Sequence, residues 1–183
     1  MFDATSVEKE LEMLDDLRQR CPHYAMQGPV PMPKPVPDID LIVTDETAST
    51  IVIAELKWMR KTLRPVEMIE RPVEMIERDR EVLKGIRQLE QVCQFLMDNP
   101  DHLRAQGKLP RRLTDYEHVH YLLVARDHWL WVEPTDDIAI LEFEAFSTAL
   151  SRAENLHSAV GSLLRDNSKL TSQIRCNGVV TFR

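Results

Sequence analysis

The sequence predicts an α/β domain with a central mixed β-sheet flanked by helices, and three features predict it. Two β-branched apolar runs, IDLIVT at 39–44 and TIVIAELKW at 50–58, sit on either side of the polar stretch DETAS and read as a hairpin. A long stretch, 72–98, repeats apolar residues at helical spacing. Further apolar β-type runs follow at 118–125 and 129–133. Such a mixed order of helices and strands fits a sheet covered by helices. At 183 residues the chain is sized for a single domain, 1–183.

The elements follow in order. Residues 5–20 form an amphipathic helix in which Thr5 or Ser6 can cap and Val7, Leu11, Leu14 and Leu17 share a face. Residues 22–37 contain the run PVPMPKPVP, which cannot join a sheet interior and reads as an extended connector. The second hairpin strand is apolar until Glu55, as expected for a strand covered on both faces. The heptapeptide RPVEMIE occurs twice in tandem, at 64–70 and 71–77. Proline suits a first helical turn, so the first copy is placed in a loop and the long helix starts near Pro72. Met75, Val82, Ile86, Leu89, Cys93 and Leu96 form its apolar face, and Asn99-Pro100 ends it. Residues 138–143 add an edge strand, 144–165 a closing helix and 166–183 a weakly structured tail.

The net charge of −7 argues against a protein that coats nucleic acid by bulk charge. Three dispersed cysteines offer neither a disulfide framework nor zinc spacing. The sequence has no run of about 18 apolar residues and no signal-like leader. A cytoplasmic protein with no membrane partner is the expectation.

Polar groups interrupt the apolar hairpin at three places. Asp40 opens the first strand. Glu55 and Lys57 lie two apart on the second and so share a face, with Leu56 pointing the other way. Charges on a buried strand face must be paired or bind something. Two carboxylates suit Mg²⁺, with Mn²⁺ as a substitute, and the Leu56 carbonyl offers one more oxygen. Such a cation polarises a phosphoryl oxygen and activates water, while Lys57 stabilises developing charge.

The stretch from PDID at 37–40 to ELK at 55–57 resembles the PD-(D/E)xK, or restriction-endonuclease-like, nuclease superfamily. The resemblance maps the first acid to Asp40, with Asp38 of the literal Pro-Asp pair as the alternative, and the E-x-K pattern to Glu55 and Lys57. It implies a core of helix, three strands, helix and strand over about residues 5–132, leaving 138–183 as an extension. It implies Mg²⁺-dependent cleavage of nucleic acid, most of all DNA. The superfamily's first helix often adds an acid, and Glu10 lies at the margin of the apolar face. The phrase LKGIRQL resembles a segment of the branch similar to the RecB nuclease, which implies a supporting role for Gln88. That branch continues with Tyr four residues on, and this chain has Val92.

Positive charge is grouped despite the acidic total. Arg60 and Lys61 follow the catalytic strand, Lys84 lies with Gln88, Gln91 and Phe95 in a stripe along the long helix, and Arg111 and Arg112 end an acid-poor stretch. These five basic residues are the expected substrate contacts. The acidic total predicts weak intrinsic affinity and help from a second copy of the chain or a partner protein. His118 and His120 read as a packed or solvated pair, and Trp129 and Trp131 as packing residues. The rival function is a nucleic-acid-binding or assembly module that keeps the fold without turnover.

Overall fold

The computed structural model describes residues 4–58, 72–126 and 138–165. They form a five-stranded mixed sheet with helices on both faces. The order is α1 (Ala4–Arg20), β1 (Ala25–Gln27), β2 (Leu41–Asp45), β3 (Thr50–Trp58), α2 (Pro72–Asp98), α3 (His102–Ala105), a 3₁₀ turn (Leu113–Asp115), β4 (His118–Arg126), β5 (Ile138–Glu142) and α4 (Phe143–Arg152). Residues 156–165 are helical as well. The first RPVEMIE copy, the run at 129–133 and the tail lie outside the described residues. Among the described residues no helix is long and apolar enough to cross a membrane.

The strands lie in sequence order, β1-β2-β3-β4-β5. β1, β2 and β3 pair antiparallel, and the hairpin register ends at Leu41 opposite Ala54. β4 and β5 each run parallel to the strand before, with Glu55 opposite Leu123 and Lys57 opposite Ala125. Strand alternation then sorts the core. Val52, Ala54 and Leu56 pack on one face with Met13, Leu14 and Leu17 of α1, Phe146 and Leu150 of α4, and Leu156 and Val160. Ile51 and Ile53 pack on the other with Val92 and Leu96 of α2, while Leu123 and Ala125 meet Val82, Ile86 and Leu89 of the same helix. β3 is covered on both sides, which explains its unbroken apolar run.

The structure departs from the sequence reading in three places. The proline-rich stretch is more than a connector: it carries edge strand β1, a Val30–Ile39 bridge, and the buried side chains Val30 and Met32. Proline is tolerated there because the strand lies at the sheet edge. The closing helix is two helices, broken at 153–155, because Asn155 Oδ1 accepts from the Ser158 amide at 2.8 Å and caps a new start. Residues 138–165 also extend the sheet and share the α1 core. Leu11, placed on the apolar face of the first helix, is 43% exposed, and Met13 takes the buried position.

Gly28 fixes the approach to β2. A Cβ there would lie 2.0 Å from the Asp40 carbonyl oxygen, at a φ of +159°. No side chain fits without moving the segment that delivers Asp40. Gly28→Ala is expected to lower stability by about 2–3 kcal/mol through overpacking and backbone strain. Urea unfolding checks this, and an unchanged midpoint contradicts it.

Candidate active site at the end of the hairpin

The β2–β3 pairing stops at Leu41 and Ala54, yet β3 runs on to Trp58. The edge of β3 beyond the last pair is taken up by a side chain. Asp40 sits in a bend just ahead of β2, and its Oδ2 accepts from the Leu56 amide at 2.9 Å. The same strand edge carries the Leu56 carbonyl, since a strand residue directs its N–H and C=O to one side. The Leu56 side chain itself points into the α1 core and is 1% exposed.

Glu55 and Lys57 occupy the opposite face, beneath α2, and are 4% and 8% exposed. Lys57 Nζ donates to Glu55 Oε1 at 2.5 Å. The charge of Glu55 acts on the Asp40 carboxyl, so the two acids are neighbours in the fold. Asp38, the alternative first acid, is elsewhere: its Oδ1 accepts from the Met32 amide at 3.0 Å and holds the proline-rich loop. Glu10 reaches over from α1, and its Oε1 accepts from the Trp58 amide at 3.4 Å.

Electrostatics follow from this packing. Burial pushes the Asp40 pKa up to about 7, the charge of Glu55 adds to the rise, and the Leu56 amide and Lys57 only partly oppose it. Burial raises Glu55 too, against the pull of Lys57, and Glu10 adds to the rise. For Lys57 burial acts downward, but Glu55, Asp40 and Glu10 outweigh it and the net direction is up. Lys57 is therefore an ammonium at neutral pH, a donor rather than a base. Three acids converge on one lysine, which leaves an excess of carboxylate.

That excess is the chemistry a hard divalent cation answers. Asp40 and Glu55 could supply oxygen donors, and Mg²⁺ keeps several waters when bound by one or two carboxylates. Among the described residues no group of three or more His, Cys, Asp or Glu could hold a metal ion. A cation here would rest on two carboxylates and water. The histidine pair joins a stack rather than a metal set: His118 lies 3.9 Å from His157 and 6.4 Å from His120 between ring centroids.

The remaining expected residues divide. Lys84 and Gln88 lie on α2 along one surface groove, Lys84 with Glu81 at 3.7 Å and Gln88 with its Oε1 buried and unpartnered. The residue of α2 that meets the dyad is Gly85. A Cβ on it would lie 2.6 Å from Leu123 Cδ1, 3.1 Å from Lys57 Cε and 3.6 Å from Glu55 Cγ. A glycine inside an amphipathic helix was the available signal, since it weakens the helix by about 1 kcal/mol unless close packing requires it.

Arg111 and Arg112 are not brought to the site. Arg111 binds Glu46 at 3.2 Å and Ser49 Oγ at 3.1 Å and stacks on Tyr116, and Arg112 binds Asp101 at 3.0 Å. Arg111 braces the far end of the hairpin, five residues of β3 or about 16 Å from Glu55, and Arg112 ties the 3₁₀ turn to the residues after α2. Their charge is spent on internal partners that sequence spacing does not reveal. Arg60 and Lys61 lie outside the described residues.

Comparison with protein-family models, curated proteins and solved structures finds no match to the chain.

The raised acid gives a signed expectation. A carboxyl whose folded pKa is lifted from 3.8 to about 7 favours the fold below about pH 4 and loses that contribution as pH rises through 7. Without divalent cations, unfolding free energy is expected to fall by about 1 kcal/mol per pH unit between pH 5 and 7. Asp40→Asn imitates the protonated acid and is expected to flatten the slope in urea titrations at several pH values. Parallel curves for the two proteins contradict this origin.

Proposed function

We propose that the chain is a Mg²⁺-dependent nuclease of the PD-(D/E)xK, restriction-endonuclease-like kind that hydrolyses phosphodiester bonds, with DNA as its substrate class. The observation that carries this reading is the acid pair at the hairpin end, Asp40 against Glu55, with the Lys57 ammonium 2.5 Å from the latter. The element order supports it: a helix, three strands, a helix and a parallel strand, α1 through β4, match the core the motif implies.

Asp40 and Glu55 would hold Mg²⁺ or Mn²⁺, with the Leu56 carbonyl on the same edge, and the group supplies Lewis-acid polarisation of the phosphoryl oxygens and activation of water. The chain's own residues do the rest. Lys57, kept protonated, donates to the attacking water or to a phosphate oxygen and steadies the negative charge that grows there. Glu55 holds Lys57 in place. The Leu56 amide fixes the Asp40 carboxylate, so the acid needs no reorganisation to act. Glu10 adds negative charge near the pair and tethers α1 to the end of β3.

Purified protein with Mg²⁺ or Mn²⁺ is expected to cut DNA. Glu55→Gln and Asp40→Asn are each expected to reduce the rate by at least about 100-fold, on the scale of losing a preorganised charge group. Lys57→Met is expected to do the same, and it also leaves Glu55 buried without its partner. Gel assays on single-stranded, duplex and RNA substrates check this. Intact substrates across that panel, together with Mn²⁺ binding that Glu55→Gln does not change, overturn the reading. Nucleic-acid binding with no turnover and no carboxylate-dependent metal binding establishes the silent module instead.

A further inference from the structure

The open flank of α2 carries features that the acid pair does not use. Arg80, Leu83, Lys84, Arg87, Gln88 and Gln91 line one concavity. Arg87 and Gln91 also line a second, with Gln94, Phe95 and the loop residues Pro35 and Val36. The two share residues and form one groove along the helix. From Arg80 to Phe95 it spans fifteen residues, or about 22 Å of axis. Gly85, between Lys84 and Gln88, packs inward on Lys57 and Glu55, so the groove runs along the outer side of the helix that covers the acid pair.

Its chemistry is graded. Arg80 and Arg87, two turns apart, make no ion pair among the described residues, as is also true of Arg126 and Arg152, whereas Arg18, Arg20, Arg104, Arg111 and Arg112 are paired. The centre is lined by amides, and the Gln88 Oε1 is buried without a hydrogen-bond partner. The far end is apolar and aromatic: Phe95 packs beside Val36 and lies edge-on to His102 at 4.9 Å. Glu90 and Asp98 line that end and would repel phosphate there.

We infer that this groove binds single-stranded nucleic acid, its phosphates on Arg80 and Arg87, its base edges on Gln88 and Gln91, and a base against Phe95. The inference rests on the nuclease reading and adds the strand form. Basic groups that track a backbone, combined with a ring that stacks a base, are the usual components of single-strand recognition. A paired duplex hides its base faces from Phe95.

The test is fluorescence anisotropy with the full chain in EDTA, where cleavage is absent, using labelled single strands and duplexes of about 20 residues. The single strand is expected to bind at least about 5-fold tighter than the duplex. Replacing both arginines, Arg80→Gln with Arg87→Gln, is expected to weaken it about 10-fold and to lower the slope of log affinity against log salt by about 1.4. Phe95→Leu keeps the apolar packing, and it is expected to weaken only single-strand binding, by about 5-fold. Circular dichroism confirms that each variant folds. Equal or tighter duplex binding, or arginine variants that bind as wild type, overturns the groove assignment while DNA cleavage by the wild type leaves the nuclease reading standing. A wild type that binds neither form and cuts neither overturns both.

Discussion

The hydrogen bond from the Leu56 amide to Asp40 Oδ2 holds the site together. β3 outlasts its hairpin partner, so its edge beyond Ala54 needs an acceptor for each buried amide. A carboxylate supplies one. By doing so it draws Asp40 out of the bend before β2 and sets it against Glu55. The backbone on the other side must then come close, which is why Gly28 packs on the Asp40 carbonyl. A requirement of sheet hydrogen bonding thus becomes a device for placing two acids together.

The neighbourhood of that bond is electrostatically unbalanced. Asp40, Glu55 and Glu10 gather around a single lysine, beneath a helix that leaves Glu55 and Lys57 little exposed to water. Buried charges of this kind are weak contributors to stability, and leaving one unpaired is severely destabilising. The chain relieves the imbalance by keeping a proton on the pair, which is the meaning of an Asp40 pKa near 7. A structural ion pair would be better served by one acid and one base. The second acid, held by the backbone, is what sets this arrangement apart from a plain salt bridge, and the proposed cation site rests on it.

Much of the fold could be read from local pattern. The run TIVIAELKW reads as a doubly covered strand because its apolar residues do not alternate, and Asn99-Pro100 ends α2 as helix punctuation demands. Glu55 and Lys57 were legible for the same reason, since a period of two places them on one face. Asp40 over Asp38 was harder, because the choice turns on which acid meets the Leu56 amide. Gly28 and Gly85 carry no chemistry of their own, and their importance lies in what a Cβ would strike. Arg111 and Arg112 misled for the opposite reason: an acid-poor segment looks free in sequence, while Glu46 and Asp101 wait across the fold. Long-range pairing is the information that local spacing lacks.

The central claim is that Asp40 and Glu55 together hold a divalent cation. A crystal soaked in Mn²⁺ and measured for anomalous scattering tests it most directly. The account predicts a single strong peak between the two carboxyl groups, within about 2.1 Å of an oxygen of each, and its loss in Glu55→Gln. A wild-type crystal with no peak there, or with its only peak at the His118–His157 stack, contradicts the account.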